Sequence, residues 1–160
     1  SYHEFASALG EMIISFQELE NFLLEIFASL VNESDREIGL MIGSTMSFGN
    51  LCKVIEALAI HKFQDADLKE SLAEILQKCQ QNESERNTFI HSFYPAFCFG
   101  ESVEVIGRFK HKINKKGYAL HSDESELEKL RNLNFEFTSR TRELFEISKY
   151  FEKSIRTTDS

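Results

Sequence analysis

The sequence predicts an all-α fold: an up-down helical bundle of four to five helices with a β-hairpin inserted before the last long helix. Three observations carry that reading. Apolar residues recur in alternating steps of four and three over most of the chain, the spacing of one helix face. Only one Pro and seven Gly punctuate 160 residues, too few turns for a sandwich or barrel. Hydrophobic residues make up 42%, with 15 Phe, enough for one sizeable core in a single domain over 1–160.

The first helix is expected over about 3–32. Phe5, Leu9, Met12, Phe16, Leu19, Leu23, Ile26 and Leu30 form an unbroken stripe, and Phe22 and Phe27 widen it. A second helix is expected over 35–62, opened by the capping-box spacing of Ser34 and Glu37. Gly43-Ser44-Thr45-Met46-Ser47 places a break near 43–47. Helical spacing resumes at Phe48, Leu51, Ile55 and Leu58. The third helix is expected over 66–94. It starts at Asp67-Leu68-Lys69-Glu70 and runs through Leu68, Leu72, Ile75 and Cys79, until Pro95 stops it near Tyr94. Strand chemistry follows over 102–120. Val103, Val105 and Ile106 lead into the alternating Arg108–Ile113, and Asn114-Lys115-Lys116-Gly117 is the turn. Asp123 or Ser125 caps the last helix, over 124–154, on the stripe Leu130, Leu133, Phe137, Leu144, Ile147 and Phe151, with Arg140 in the gap.

No apolar run is long enough to span a bilayer, and the N-terminus lacks a basic region followed by an apolar block, so no membrane association or signal peptide is expected. Cys52, Cys79 and Cys98 form no C-x-x-C pair and read as buried free thiols, and a cytoplasmic protein is the default. The five His (3, 61, 91, 111, 121) contain no i,i+4 pair, so no metal site and no cofactor is expected. A net charge of −8 excludes a broad phosphate-binding surface. The charge is uneven. Arg108, Lys110, Lys112, Lys115 and Lys116 crowd the hairpin, and the rest of the chain carries 13 basic against 26 acidic residues.

One segment breaks the apolar pattern. Extended beyond Cys79, the third stripe lands on Asn82, Arg86 and Phe89. A lone guanidinium in a seam is costly unless something anionic pairs with it. Asn87 and His91 lie one helical turn apart, with Ser92 adjacent, and the Arg86 side chain is long enough to reach across. An imidazole can move a proton from a ribose 2′-hydroxyl or to a leaving oxygen, and a guanidinium can stabilise phosphoryl charge without a metal. The bland alternative pairs Arg86 with Glu83 or Glu20 and leaves His91 a half-buried structural histidine.

Arg86-Asn87-Thr88-Phe89-Ile90-His91 resembles the R-x4-6-H signature of the HEPN superfamily (higher eukaryotes and prokaryotes nucleotide-binding domains), in its R-N-x-x-x-H form. Phe16-Gln17-Glu18-Leu19-Glu20 in the first helix resembles bacterial members. The resemblance implies a helical domain that dimerises to bring two motifs into one cleft, in many members a metal-independent ribonuclease of toxin–antitoxin or phage-defence systems. Under it Arg86 and His91 are catalytic, and Asn87 orients or binds phosphate. Where some members carry Tyr two residues after the His, this chain has Phe93, with Tyr94 one later. The expected partners are RNA or a nucleotide, a second copy of the chain, and an antitoxin or other protein. Ser92, Arg108, Lys110 and Lys112 complete the expected phosphate-binding set, with His111 a secondary contact. The basic strand also reads as a lysine-protected edge or as a docking surface for an acidic partner. The alternative function is a non-catalytic helical module for dimerisation or protein interaction, in which the motif is structural or vestigial.

Overall fold

The computed structural model describes residues 2–32, 34–92, 94, 96–99, 102–105, 108–114, 116–123 and 127–155. The chain is mostly helical, the class its periodicity implies. Four long helices carry the core: α1 (Tyr2–Val31), α3 (Phe48–Lys62), α4 (Ala66–Ile90) and α5 (Leu127–Ser148). Two short ones, α2 (Arg36–Gly43) and α6 (Phe151–Ser154), join or extend them. The α1 stripe is buried at Phe5, Met12, Phe16, Leu19, Leu23, Ile26 and Leu30, while Leu9 is only half-buried.

The break expected within the second helix is a reversal. Gly39 lies against Ala28 and Gly43 against Leu24 and Phe27, so α2 runs antiparallel to α1. A Cβ on Gly39 would stand 2.5 Å from the Ala28 Cα, so only glycine permits this approach. Phe48 then stacks on Phe16 at 5.0 Å between centroids, and α3 climbs back until His61 and Lys62 reach the Leu30 end of α1. Two helices thus stand where one kinked helix was expected. The glycines let α2 hug α1 closely enough to turn the chain within one short segment.

The caps also differ in detail. Asp35, not Ser34, opens α2: its Oδ1 accepts from the Glu37 and Ile38 amides, while Ser34 is held by the Asn32 carboxamide. Asp65 rather than Asp67 opens α4, accepting from the Asp67 and Leu68 amides at 2.9 and 3.1 Å. In both cases the aspartate that sits just outside the first turn captures the free amides. Ser47 caps α3 through the Asn50 amide.

Helix α4 ends at Ile90, about one turn before the expected Tyr94. The Ser92 amide bonds to the Phe89 carbonyl, which tightens the last turn, and the Tyr94 hydroxyl donates to the same carbonyl at 2.8 Å. Four strands follow in two antiparallel ladders. β1 (Ala96–Phe99) pairs with β2 (Ser102–Val105), and β3 (Arg108–Asn114) pairs with β4 (Gly117–Asp123). β1 lies before the strand region of 102–120 that the sequence predicts. In the β3–β4 ladder Asn114 faces Gly117, whose φ of +107° is the left-handed geometry a tight turn requires.

Ser15 donates to Asn134 at 2.5 Å, Phe16 stacks on Phe137, and Phe22 approaches Phe145. These ascending pairs make α5 parallel to α1. The expected last helix is interrupted at Lys149–Tyr150, before α6, and residues 124–126 of its expected start lie outside the described residues. Ser154 ties this end to the start of α4: its hydroxyl accepts from the Asp65 amide and its carbonyl from the Gln64 amide, beside a Phe63–Ile155 bridge. No described helix is long and apolar enough to cross a membrane.

Candidate functional site

The seam between α4, α5 and α1 is apolar from Leu68 to Cys79 and then turns polar. Asn82 is buried at 7% exposure, and its Oδ1 has no hydrogen-bond partner. One turn on, Arg86 folds inward. Its guanidinium carbon sits 4.4 Å above the Phe16 ring, and its Nη1 donates to the Asn87 carboxamide at 2.9 Å. Its Nε is buried and unpaired. Neither Glu83 nor Glu20 pairs with it.

A second arginine makes the comparison. Arg140, the gap in the last stripe, is 9% exposed and faces the same seam from α5. It is flanked by Glu143 at 3.1 Å and Glu136 at 3.4 Å. The Glu143 contact is an ion pair lying off the N–H line, so it satisfies charge without making a hydrogen bond. Arg140 therefore has two carboxylates, whereas Arg86 has an aromatic face and a neutral amide. Burial pushes the nearby Cys79 thiol up to about 12, against the lowering effect of the Arg140 charge. Cys52, buried beside it, is pushed up further for the same reason, so both are inert thiols.

The other expected residues fall around this point. Asn87 touches Arg86 through its side chain, and its carbonyl accepts the His91 amide. His91 is the C-cap of α4 and is exposed. No hydrogen bond joins its ring to Arg86, because five residues along a helix place the two on different sides. Ser92 donates back to the Thr88 carbonyl at 2.5 Å, so its hydroxyl hydrogen is used locally. Arg108, Lys110 and Lys112 occupy alternate positions of β3, opposite Asp123, His121 and Ala119. Their side chains, like those of His111 and Lys115, lie outside the described residues, as does Phe93. The structure thus brings Arg86 and Asn87 together and leaves His91 one turn away, facing solvent.

A cleft of about 370 Å³ opens on the α5 side of the same turn, floored by Phe89 and Leu133 and rimmed by Glu85, Thr88, Lys129, Asn132 and Glu136. Of the α5 residues here only Leu133 is expected from the sequence, and as a core residue. The signal was present, since Leu133 and Arg140 lie on one stripe and Asn82, Arg86 and Phe89 on its partner. Phe16 is expected in the core stripe and in the bacterial-like segment, not beside Arg86, and its ring is the platform for Arg86. Among the described residues no group of three or more His, Cys, Asp or Glu is placed to hold a metal ion. No protein-family model, curated protein or solved structure matches the chain.

Proposed function

We propose that this chain is a HEPN-like domain that binds RNA or a nucleotide through Arg86, Asn87 and His91, and that it cleaves RNA without a metal. The observation that carries the reading is the state of Arg86. Its guanidinium stands at the polar end of the seam with no carboxylate partner among the described residues, next to the unpaired Asn82 carbonyl oxygen. A cation held this way favours an anion more than one already neutralised by glutamates, as Arg140 is.

In this reading Arg86 stabilises charge on the phosphoryl oxygens, Asn87 holds the guanidinium and offers its amide to phosphate, and His91 moves the proton. The 2′-hydroxyl attacks the neighbouring phosphorus, the 5′-oxygen leaves with a proton, and a 2′,3′-cyclic phosphate remains. Ser92 and the basic positions 108, 110 and 112 of β3 extend the phosphate track. Because Arg86 and His91 face different sides of α4, the reading calls for a homodimer in which two motifs complement each other, and it fits a toxin or phage-defence role with an antitoxin or other protein as partner in the cytoplasm.

The test is cleavage of single-stranded RNA by the purified chain in excess EDTA. The reading expects products ending in a 2′,3′-cyclic phosphate, lost in Arg86→Ala and His91→Ala. Equal cleavage by both variants would refute the catalytic assignment. Retained RNA or nucleotide binding without cleavage would leave the binding half of the reading standing. The second reading, a non-catalytic interaction module, is favoured by the exposed apolar side chains of α2, α1 and α5, among them Met41 at 63% and Phe135 at 65%.

A further inference from the structure

The outer sides of α1 and α5 carry side chains that neither the core nor the motif uses. The parallel pairing of the two helices sets each α1 residue level with the α5 residue about 120 positions later. Helical spacing then places Glu11, Ile14 and Glu18 on one exposed flank, and Arg131, Phe135 and Arg142 on the other. Glu11 is level with Arg131, Ile14 with Phe135, and Glu18 within a turn of Arg142. Ile14 is 57% exposed and Phe135 65%. Glu18, Arg131 and Arg142 form no ion pair among the described residues.

The face is therefore acidic along one helix, basic along the other, and apolar at its middle. We propose that a second copy of the chain docks on it, with a two-fold axis parallel to the helices. That axis lays α1 of one copy over α5 of its partner at the same height. Acid then meets base at both ends, and each Ile14 meets a Phe135. An axis in the same plane but perpendicular to the helices would lay like charges on like, which disfavours it. The acidic α1 flank also argues against a nucleic-acid backbone as occupant, since it would repel phosphate along its whole length. From Arg131 to Lys149 the face is roughly 27 Å long and about two helix diameters wide, so roughly 500 Å² a side. A total near 1,000 Å² is the lower limit of a specific interface, which points to a reversible, concentration-dependent dimer. The face lies away from the α4 motif, so a dimer formed here is a different contact from the motif-pairing one of the proposed function, and substitutions at Glu18, Phe135 and Arg142 test it separately from those at Arg86 and His91.

Sedimentation equilibrium over a concentration series tests it, with thermal melts confirming that each variant is folded. The parent chain dimerises reversibly. Arg142→Glu and Glu18→Arg each weaken the dimer roughly tenfold. The double variant regains most of the loss, and Phe135→Glu abolishes association. A chain that stays monomeric throughout overturns the proposal. So does a dimer unmoved by Phe135→Glu and Arg142→Glu, which would mean the copies meet elsewhere. So does a double variant no tighter than the singles. A monomer that binds single-stranded RNA through Arg142 overturns it in favour of a nucleic-acid surface.

Discussion

Replacing Arg86 with Met separates an anion-binding arginine from a structural one. The side chain now makes two favourable contacts, the Phe16 ring at 4.4 Å and the Asn87 carboxamide at 2.9 Å. A cation–π contact in a partly desolvated site contributes about 1 kcal/mol, and the hydrogen bond about 1 kcal/mol more. Against them stands the buried, unpaired Nε, which costs about 1–3 kcal/mol. Met keeps the packing on Phe16, gains a sulfur–aromatic contact of about 0.3–1.5 kcal/mol and removes the unpaired donor. On these terms Arg86→Met should not destabilise by more than about 1 kcal/mol, a fall of at most about 2–4 °C in melting temperature for a chain of this size. Paired measurements decide the matter: a thermal or urea melt, and a titration with single-stranded RNA. The expected result is retained stability with RNA binding lost. A loss of about 3 kcal/mol or more, with RNA affinity intact, would refute the reasoning and make Arg86 a strut between α4 and α1.

Gly39→Ala is expected to destabilise by about 1–2 kcal/mol, because overpacking against the Ala28 backbone outweighs the gain of about 1 kcal/mol in helix propensity; a raised melting temperature would show that α2 can simply slide. Gly43→Ala should cost less, since its Cβ would meet side-chain atoms, the Leu24 Cδ1 and the edge of the Phe27 ring, rather than backbone. Cys52 and Cys79 should resist thiol reagents at neutral pH until the protein unfolds. Folding raises the Cys79 pKa from 9.0 to about 12, so the unfolded state alone releases its proton above 9. The Cys79 contribution to stability is constant below that pH and is lost between 9 and about 12, as melts across that range would reveal.

The helices were legible where packing and spacing agree. The steps of four and three in α1 named seven buried residues, because a helix with one wide apolar face leaves little choice of orientation. The reversal at Gly43–Ser47 was read only as a kink. Nothing local distinguishes a bend from a turn, and the Gly39-x-x-x-Gly43 spacing acquires meaning only beside Ala28 and Phe27. The α4 end was misjudged by about a turn because the proline rule marks the last permitted helical residue. It does not mark where a tyrosine hydroxyl takes over the last carbonyl. At the candidate site, the stripe arithmetic correctly set Asn82 and Arg86 in the seam. Glu136 and Glu143 lie four before and three after Arg140 on α5 itself, so that its own helix neutralises it was legible in the spacing; that Arg86 rests on Phe16 depends on which helices meet.

The parallel seating of α1 on α5 has a consequence for how the chain comes to be folded. The α5 partners of Phe16 and Phe22 lie about 120 positions later in the chain, so α1 waits for α5 before this side of its seam is sealed. Closing so long a loop is entropically costly, and contacts of this sequence separation slow folding. Until α5 is made, Phe16 and its neighbours stay open to water on the α5 side. A ribosome stalled before α5 would present that open seam to chaperones, and to the seams of other nascent chains.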